Sequence, residues 1–197
     1  MVFRAFKRRG SVAGGKFVPD HEELEGIVKG LQSQGKVIVL TSGTFDLLHV
    51  GHLRCLRDAK SRGDFLVLAL QSDRAVRRSK HASLPIIPEK ERAELAEALD
   101  CVDYVTLYHE DSTEKLLLKL KPNIYAMGTD YRTSTLPERE TVLSYGGRIL
   151  IVGDPKKHST TEILKRVKSL KKVPVAGAPA AKRRVESRTT RTARAGR

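Results

Sequence analysis

The sequence predicts an α/β protein built as a Rossmann-like, doubly wound parallel sheet of five strands with helices on both faces. Two observations predict it. Short apolar runs rich in β-branched residues recur along the chain, as in KVIVL, DFLVLAL, CVDYVTLY, NIYAM and RILIVG, and such runs read as buried strands. A stretch with helical periodicity lies between each pair, and strands that alternate with helices pair in parallel through right-handed crossovers.

The first element after a basic arm is the helix DHEELEGIVKGLQSQ, expected to pack on the sheet edge. Asp20 can cap it, acids fill its first turn, and Leu24, Ile27, Val28 and Leu31 share one face. KVIVL (36–40) is the first strand, bounded by Gly35 and by Ser42-Gly43. A helix then runs from His49 to Ser61, with Leu53, Leu56 and Ala59 inward, until Gly63 stops it. DFLVLAL (64–70) is the second strand. VRRSKHASLPIIP (76–88) has no clean period and is broken by Pro85 and Pro88, so it reads as a substrate-facing loop. PEKERAELAEALD starts the next helix, with Pro88 near the first turn and Glu89 and Glu91 at its positive end. CVDYVTLY (101–108) is the third strand, STEKLLLKLK (112–121) a helix capped by Ser112 or Asp111, and NIYAM (123–127) the fourth strand. LPERETVLSYGG forms a helix ending at Gly146-Gly147. RILIVG (148–153) is the fifth strand, and STTEILKRVKSL a final helix with Ser159 as N-cap.

A chain of 197 residues suits one folded domain with appended ends. Its 40% hydrophobic and 30% charged residues are ordinary for a globular domain. No apolar run reaches the roughly 18–20 residues of a membrane span. The net charge of +14 is concentrated: residues 1–16 carry Arg4, Lys7, Arg8, Arg9 and Lys16 with no acid, and residues 170–197 carry many Lys and Arg against Glu186 alone. The stretch 17–169 is close to neutral. The expected organisation is a basic disordered arm over 1–16, a folded domain over 17–169 and a basic disordered tail over 170–197, the ends suited to weak polyanion binding. Cys55 and Cys101 are too few for a disulfide framework, and the N-terminus lacks the apolar stretch of a secretory signal. Both features point to the reducing cytoplasm.

The stretch TSGTFDLLHVGH (41–52) carries the chemistry. It follows the first strand, and in such sheets ligands bind beyond the carboxyl ends of the strands, where helix N-termini also point. Gly43 lets a phosphate approach the backbone, and the following helix offers unpaired N–H groups. His49 and His52 fall about one turn apart, so both rings can project to one side and donate hydrogen bonds to phosphoryl oxygens. Zinc would need third and fourth ligands, and no second His or Cys pair with ligand spacing is present, so no protein-held metal is expected. Neither GxGxxG nor a P-loop GxxxxGK[ST] occurs at this turn. Ser159, Thr160 and Thr161 open the last helix and form a second anion site suited to the β- and γ-phosphates.

GTFDLLHVGH resembles the signature of the HxGH nucleotidyltransferase superfamily, which includes cytidylyltransferases, pantetheine-phosphate adenylyltransferase and archaeal FAD synthase. Within it, the chain from Phe17 to Val167 is most similar to the adenylyltransferase domain of bacterial ADP-heptose synthase. LQSQGKVIVLTSGTFDLLHVGHLRCLRDAK, SDRAVRRSK, PEKERAELAEALDCVDYV, MGTDY, YGGRI and HSTTEI carry that likeness. The resemblance implies a stand-alone enzyme that joins a sugar 1-phosphate, such as heptose 1-phosphate, to the α-phosphate of ATP and releases pyrophosphate. It implies that the backbone at Gly43, Thr44 and Phe45 and the rings of His49 and His52 hold the nucleotide phosphates. Lys80 is implied near the phosphates of both substrates, Arg92 is directed to the site, and Gly128 and Asp130 lie at the ribose and base. Magnesium (Mg2+) is implied with the triphosphate, held mainly by phosphate oxygens. A homodimer is implied as well, since similar enzymes often dimerise.

The chain departs from heptose enzymes in two places and from cytidylyltransferases in a third. Heptose enzymes usually read NGCFD where this chain has SGTFD, a form closer to glycerol-phosphate cytidylyltransferase or FAD synthase, so ATP and CTP both stay open. Met127 and Thr129 stand where a lysine and a glycine are usual, and Lys156 and Lys157 precede the last helix in place of the Arg-Thr-Glu-Gly of cytidylyltransferases. The alternatives are glycerol 3-phosphate with CTP, flavin mononucleotide as acceptor, or a nucleotide- or nucleic-acid-binding protein without transferase activity.

Overall fold

The computed structural model describes residues 15–131, 133, 136–154 and 159–170. The basic arm and tail, apart from their innermost residues, lie outside them, as do Lys156 and Lys157. The element order is α1 (His21–Ser33), β1 (Ile38–Gly43), α2 (Val50–Ser61), β2 (Phe65–Gln71), α3 (Asp73–Ser79), α4 (Glu89–Glu97), β3 (Tyr104–Tyr108), α5 (Glu114–Leu120), β4 (Ile124–Gly128), α6 (Arg139–Ser144), β5 (Arg148–Val152) and α7 (Thr160–Ser169).

The five strands form one parallel sheet in the order β3-β2-β1-β4-β5. The register sets Ile38 beside Phe65 and Gly43 beside Leu70 on one side of β1, and Leu40 beside Tyr125 on the other. Alternate residues of each strand face opposite ways, so the sheet carries two cores. On one face Leu24 and Val28 of α1 and Leu116, Leu117 and Leu120 of α5 pack over Ile38, Leu40, Val67 and Tyr125. On the other, Leu56 and Ala59 of α2 and Ala93 and Ala96 of α4 cover Val39, Leu66, Leu68 and Ala126. The expected doubly wound parallel sheet is the observed one.

Several elements sit differently from what the sequence pattern predicts. α1 lies on the sheet face beside α5, where Leu24 and Val28 are fully buried in the core. The exposed edge of β3 is instead paired by residues 16–18, where Val18 N–H donates to Val105 O at 2.8 Å and Val105 N–H to Lys16 O at 2.8 Å. β1 continues through Gly43, so the loop starts later than the apolar run suggested. Within the expected 76–88 loop, the first residues complete α3, which Ser72 caps by accepting from Ala75 N–H. Thr113 holds the N-cap position of α5 and turns its hydroxyl inward to Tyr125 and Glu138, while Ser112 Oγ accepts from Glu114 N–H at 3.4 Å, so of the two expected capping residues Ser112 meets the helix start. No described helix is long and apolar enough to cross a membrane.

Candidate active site at the strand switch point

The chain runs outward from β1 through β2 to β3, then returns to the other side of β1 with β4 and β5. The order reverses between β1 and β4, and the crevice beyond their carboxyl ends is where a parallel sheet of this type takes a ligand. The loop that leaves β1 there is wound tightly. Phe45 and Leu47 both have left-handed backbone, at φ 49° and 46°, each costing on the order of 1–3 kcal/mol unless its surroundings hold it.

Three segments hold that loop. Arg92 on α4 is buried, its side chain 1% exposed. Its guanidinium donates to Thr44 O at 2.5 Å, Gln71 O and Asp73 Oδ1 at 2.8 Å, and Ile87 O at 3.0 Å. The Asp46 carboxylate accepts from Leu47 N–H at 3.0 Å, Ile86 N–H at 2.8 Å and Ile87 N–H at 2.9 Å. The Thr160 hydroxyl donates to Asp46 O at 3.0 Å, which seats the start of α7 against the loop.

His49 is the N-cap of α2, in extended backbone, and its Nδ1 accepts from Gly51 N–H at 3.1 Å and His52 N–H at 3.4 Å. A nitrogen that accepts cannot carry the ring's proton, so neutral His49 has its hydrogen on Nε2. The His52 ring stacks on it with centroids 3.8 Å apart and planes 20° apart, and Phe45 lies 5.0 Å away on another side. Burial, reinforced by His49, pushes His52 down to about 4, while Asp46 pulls it up and Lys80 pushes it further down. His52 is therefore neutral near pH 7, and its buried Nδ1 has no hydrogen-bond partner among the described residues.

Lys80 ends α3 and reaches into this group, its ammonium donating to Thr44 Oγ1 at 2.7 Å. Thr44 Oγ1 in turn donates to Gln71 Oε1 at 3.3 Å. Burial lowers the Lys80 pKa, with Asp46 opposing and Arg92 adding to the fall. Thr44, Phe45, His49, His52 and Lys80 are thus brought together.

Other expected residues meet a different geometry. At Gly43 the room left by the missing side chain is taken by the Phe45 ring, which a Cβ would meet at 3.1 Å. Arg92 spends its donors on protein acceptors, so it braces the loop from beneath. Gly128 ends β4 on the α2 side, where Cys55 Sγ lies 4.0 Å from an added Cβ, and Asp130 sits exposed in the turn that follows. Burial first, then Asp58 and Asp130, pushes the Cys55 thiol up to about 11, which leaves it unreactive near neutral pH. At the start of α7, Ser159 Oγ accepts from Glu162 N–H at 3.2 Å and Thr160 is tied to Asp46, leaving Thr161 exposed. Asp46 is the site residue that reading from the sequence passed over; its one signal was its place inside the GTFD motif.

Among the described residues no group of three or more His, Cys, Asp or Glu side chains gathers to hold a metal ion. What the site does present is hydrogen-bond donors and one ammonium at the switch point of a parallel sheet, the equipment of a nucleotidyltransferase domain.

A family model described as cytidylyltransferase-like matches residues 40–191, and the chain belongs to this family. A bifunctional protein HldE from Pelobacter propionicus is 45% identical over 150 residues, covering 76% of this chain and 31% of that protein. Its namesake from Geobacter metallireducens is 46% identical over 144 residues, covering 73% of this chain and 29% of its own. The chain spans under a third of the length of these relatives. Among solved structures, a lipopolysaccharide core biosynthesis protein from Thermoplasma volcanium is 30% identical with a TM-score of 0.54, covering 62% of this chain and 100% of that one. A pantoate-beta-alanine ligase from Francisella tularensis, at 16% identity and a TM-score of 0.56 over 79% of this chain and 77% of its own, shares the fold.

Proposed function

We propose that this chain is an adenylyltransferase that joins a sugar 1-phosphate of the heptose 1-phosphate class to the α-phosphate of ATP and releases pyrophosphate. The observation that carries the reading is the convergence of the stacked His49–His52 pair with Thr44 and Lys80 at the β1–β4 switch point. Similarity to bifunctional HldE proteins and to a lipopolysaccharide core biosynthesis protein, together with the resemblance of the sequence to ADP-heptose synthase adenylyltransferases, supports the choice of acceptor and nucleotide.

The acceptor's phosphate oxygen attacks the α-phosphorus in line. The new P–O bond forms as the bond from the α-phosphorus to the bridging oxygen of the β-phosphate breaks, and pyrophosphate leaves with that electron pair. The acceptor phosphate is already ionised near neutral pH, so no general base is needed, and positioning and charge stabilisation supply the rate. His49 through its Nε2–H and the neutral His52 ring donate to phosphate oxygens, bonds that strengthen as charge builds. Lys80 exchanges Thr44 for the phosphates and offsets their charge as the substrates meet. Arg92 and Asp46 keep the loop wound. Gly128 and Asp130 receive the ribose and base, and the N-terminus of α7 at Ser159–Thr161 takes the outer phosphates. A divalent cation such as Mg2+ carried by the triphosphate would neutralise part of its charge, beside the donors that His49, His52 and Lys80 supply. The reading keeps the chain in the cytoplasm, where ATP is made and where free Cys55 and Cys101 stay reduced.

The test is pyrophosphate release by the purified chain, with ATP and CTP each offered heptose 1-phosphate, glycerol 3-phosphate and flavin mononucleotide. Release with ATP and heptose 1-phosphate is expected. Release with CTP alone, or with either of the other acceptors alone, would move the substrate to that pair.

A further inference from the structure

Lys80 is a long, flexible side chain at the mouth of a nine-residue connection, residues 80–88, that carries no helix or strand. The Lys80 backbone is fixed by α3, its N–H donating to Val76 O at 2.9 Å, but the segment after it, left to itself, samples many conformations and would leave the room around the ammonium undefined. Its far end is gripped at two successive backbone N–H groups by one carboxylate. Asp46 Oδ2 accepts from Ile86 N–H at 2.8 Å and Oδ1 from Ile87 N–H at 2.9 Å, a two-pronged grip on successive backbone donors. The same carboxylate accepts from Leu47 N–H at 3.0 Å, beside the left-handed backbone of Leu47 itself. Asp46 is buried, so water competes poorly for these bonds. Arg92 bonds to Ile87 O at 3.0 Å and Thr44 O, joining the same two segments from below.

We propose that Asp46 is the positioning residue for Lys80: its carboxylate clasps the 80–88 segment to the histidine loop and so sets where the ammonium meets the phosphates. Asp46 touches neither substrate in this role and acts through the segment it holds. The inference rests on the nucleotidyltransferase reading for its consequence in turnover, but the clasp itself is a statement about two backbone amides.

Asp46→Asn in the full chain tests it. The substitution keeps size and one acceptor, and turns an amide NH2 toward an N–H donor, so one prong is lost. Hydrogen exchange at the Ile86 and Ile87 amides is expected to quicken about tenfold or more, with the β1 and β2 amides unchanged. Unchanged exchange at both overturns the clasp, whatever reaction the protein runs. In pyrophosphate release, kcat is expected to fall about 10- to 100-fold with KM for ATP moving little, the signature of a misplaced group. Placed on Lys80→Ala, Asp46→Asn is expected to lower kcat no further, since the residue it positions is gone. Losses that multiply overturn the route through Lys80. Ile86→Pro deletes one donor of the same grip from an exposed residue, so it is expected to quicken exchange at the remaining Ile87 amide and to lower kcat if Asp46→Asn folds poorly, and full activity with this variant contradicts the proposal. A wild-type chain inactive on every substrate pair would sink the functional reading, while the exchange comparison still decides the clasp.

Discussion

A ring nitrogen that accepts two backbone N–H bonds leaves the other nitrogen as the donor, and this orients His49 at the start of α2 before any ligand arrives. His52 is tuned differently. Its ring is stacked and half-buried, and burial holds it neutral well below the ordinary histidine value of 6.5, at about 4. The unfolded chain therefore binds more protons than the folded one between pH 6.5 and 4. This contribution to stability is fully present above about pH 6.5 and is lost as the pH falls through that window. Thermal unfolding followed from pH 7 to pH 4 is expected to show a falling Tm that His52→Gln flattens. An equal slope in both proteins would assign the loss to other groups.

At the scale of elements, the short piece between β2 and α4 does more than connect. Ser72 caps α3, α3 delivers Lys80, and Arg92 on α4 reaches back beneath Thr44. Arg92→Ala removes a buried guanidinium that bonds Thr44 O, Gln71 O, Ile87 O and Asp73. It is expected to destabilise the fold by about 3–5 kcal/mol, because three carbonyls and a carboxylate lose their donor together. Urea denaturation measures this, and a loss under about 1 kcal/mol would mean that water replaces the guanidinium. The strands were legible because buried parallel strands are nearly continuous apolar runs, as DFLVLAL is. α3 was not, since only Ala75 and Val76 of its seven residues are buried and its charged remainder shows no period. The role of Arg92 was illegible for a related reason: its acceptors come from residues 44, 71, 73 and 87, and no local pattern records such a convergence.

For the whole molecule, alternation of strands and helices was enough to predict a parallel doubly wound sheet, and the order β3-β2-β1-β4-β5 then puts its switch point at the GTFDLLHVGH loop. The motif located the histidines and the glycine turn. It left hidden that the Phe45 ring fills the space beside Gly43, and that Asp46 and Thr160 knit the loop to two distant segments. The contacts of Asp46 with Ile86 and with Thr160 span 40 and 114 residues of sequence, and only folding brings them together. The histidine pair serves the reaction more than the resting nucleotide under the proposed function. The direct test is His52→Ala, measured for ATP binding by calorimetry and for turnover by pyrophosphate release with heptose 1-phosphate. The expected result is a kcat lower by about 10²–10³-fold with the ATP Kd changed only a few-fold, as for a donor aimed at developing charge. Equal losses in Kd and kcat, or an unchanged kcat, would contradict it.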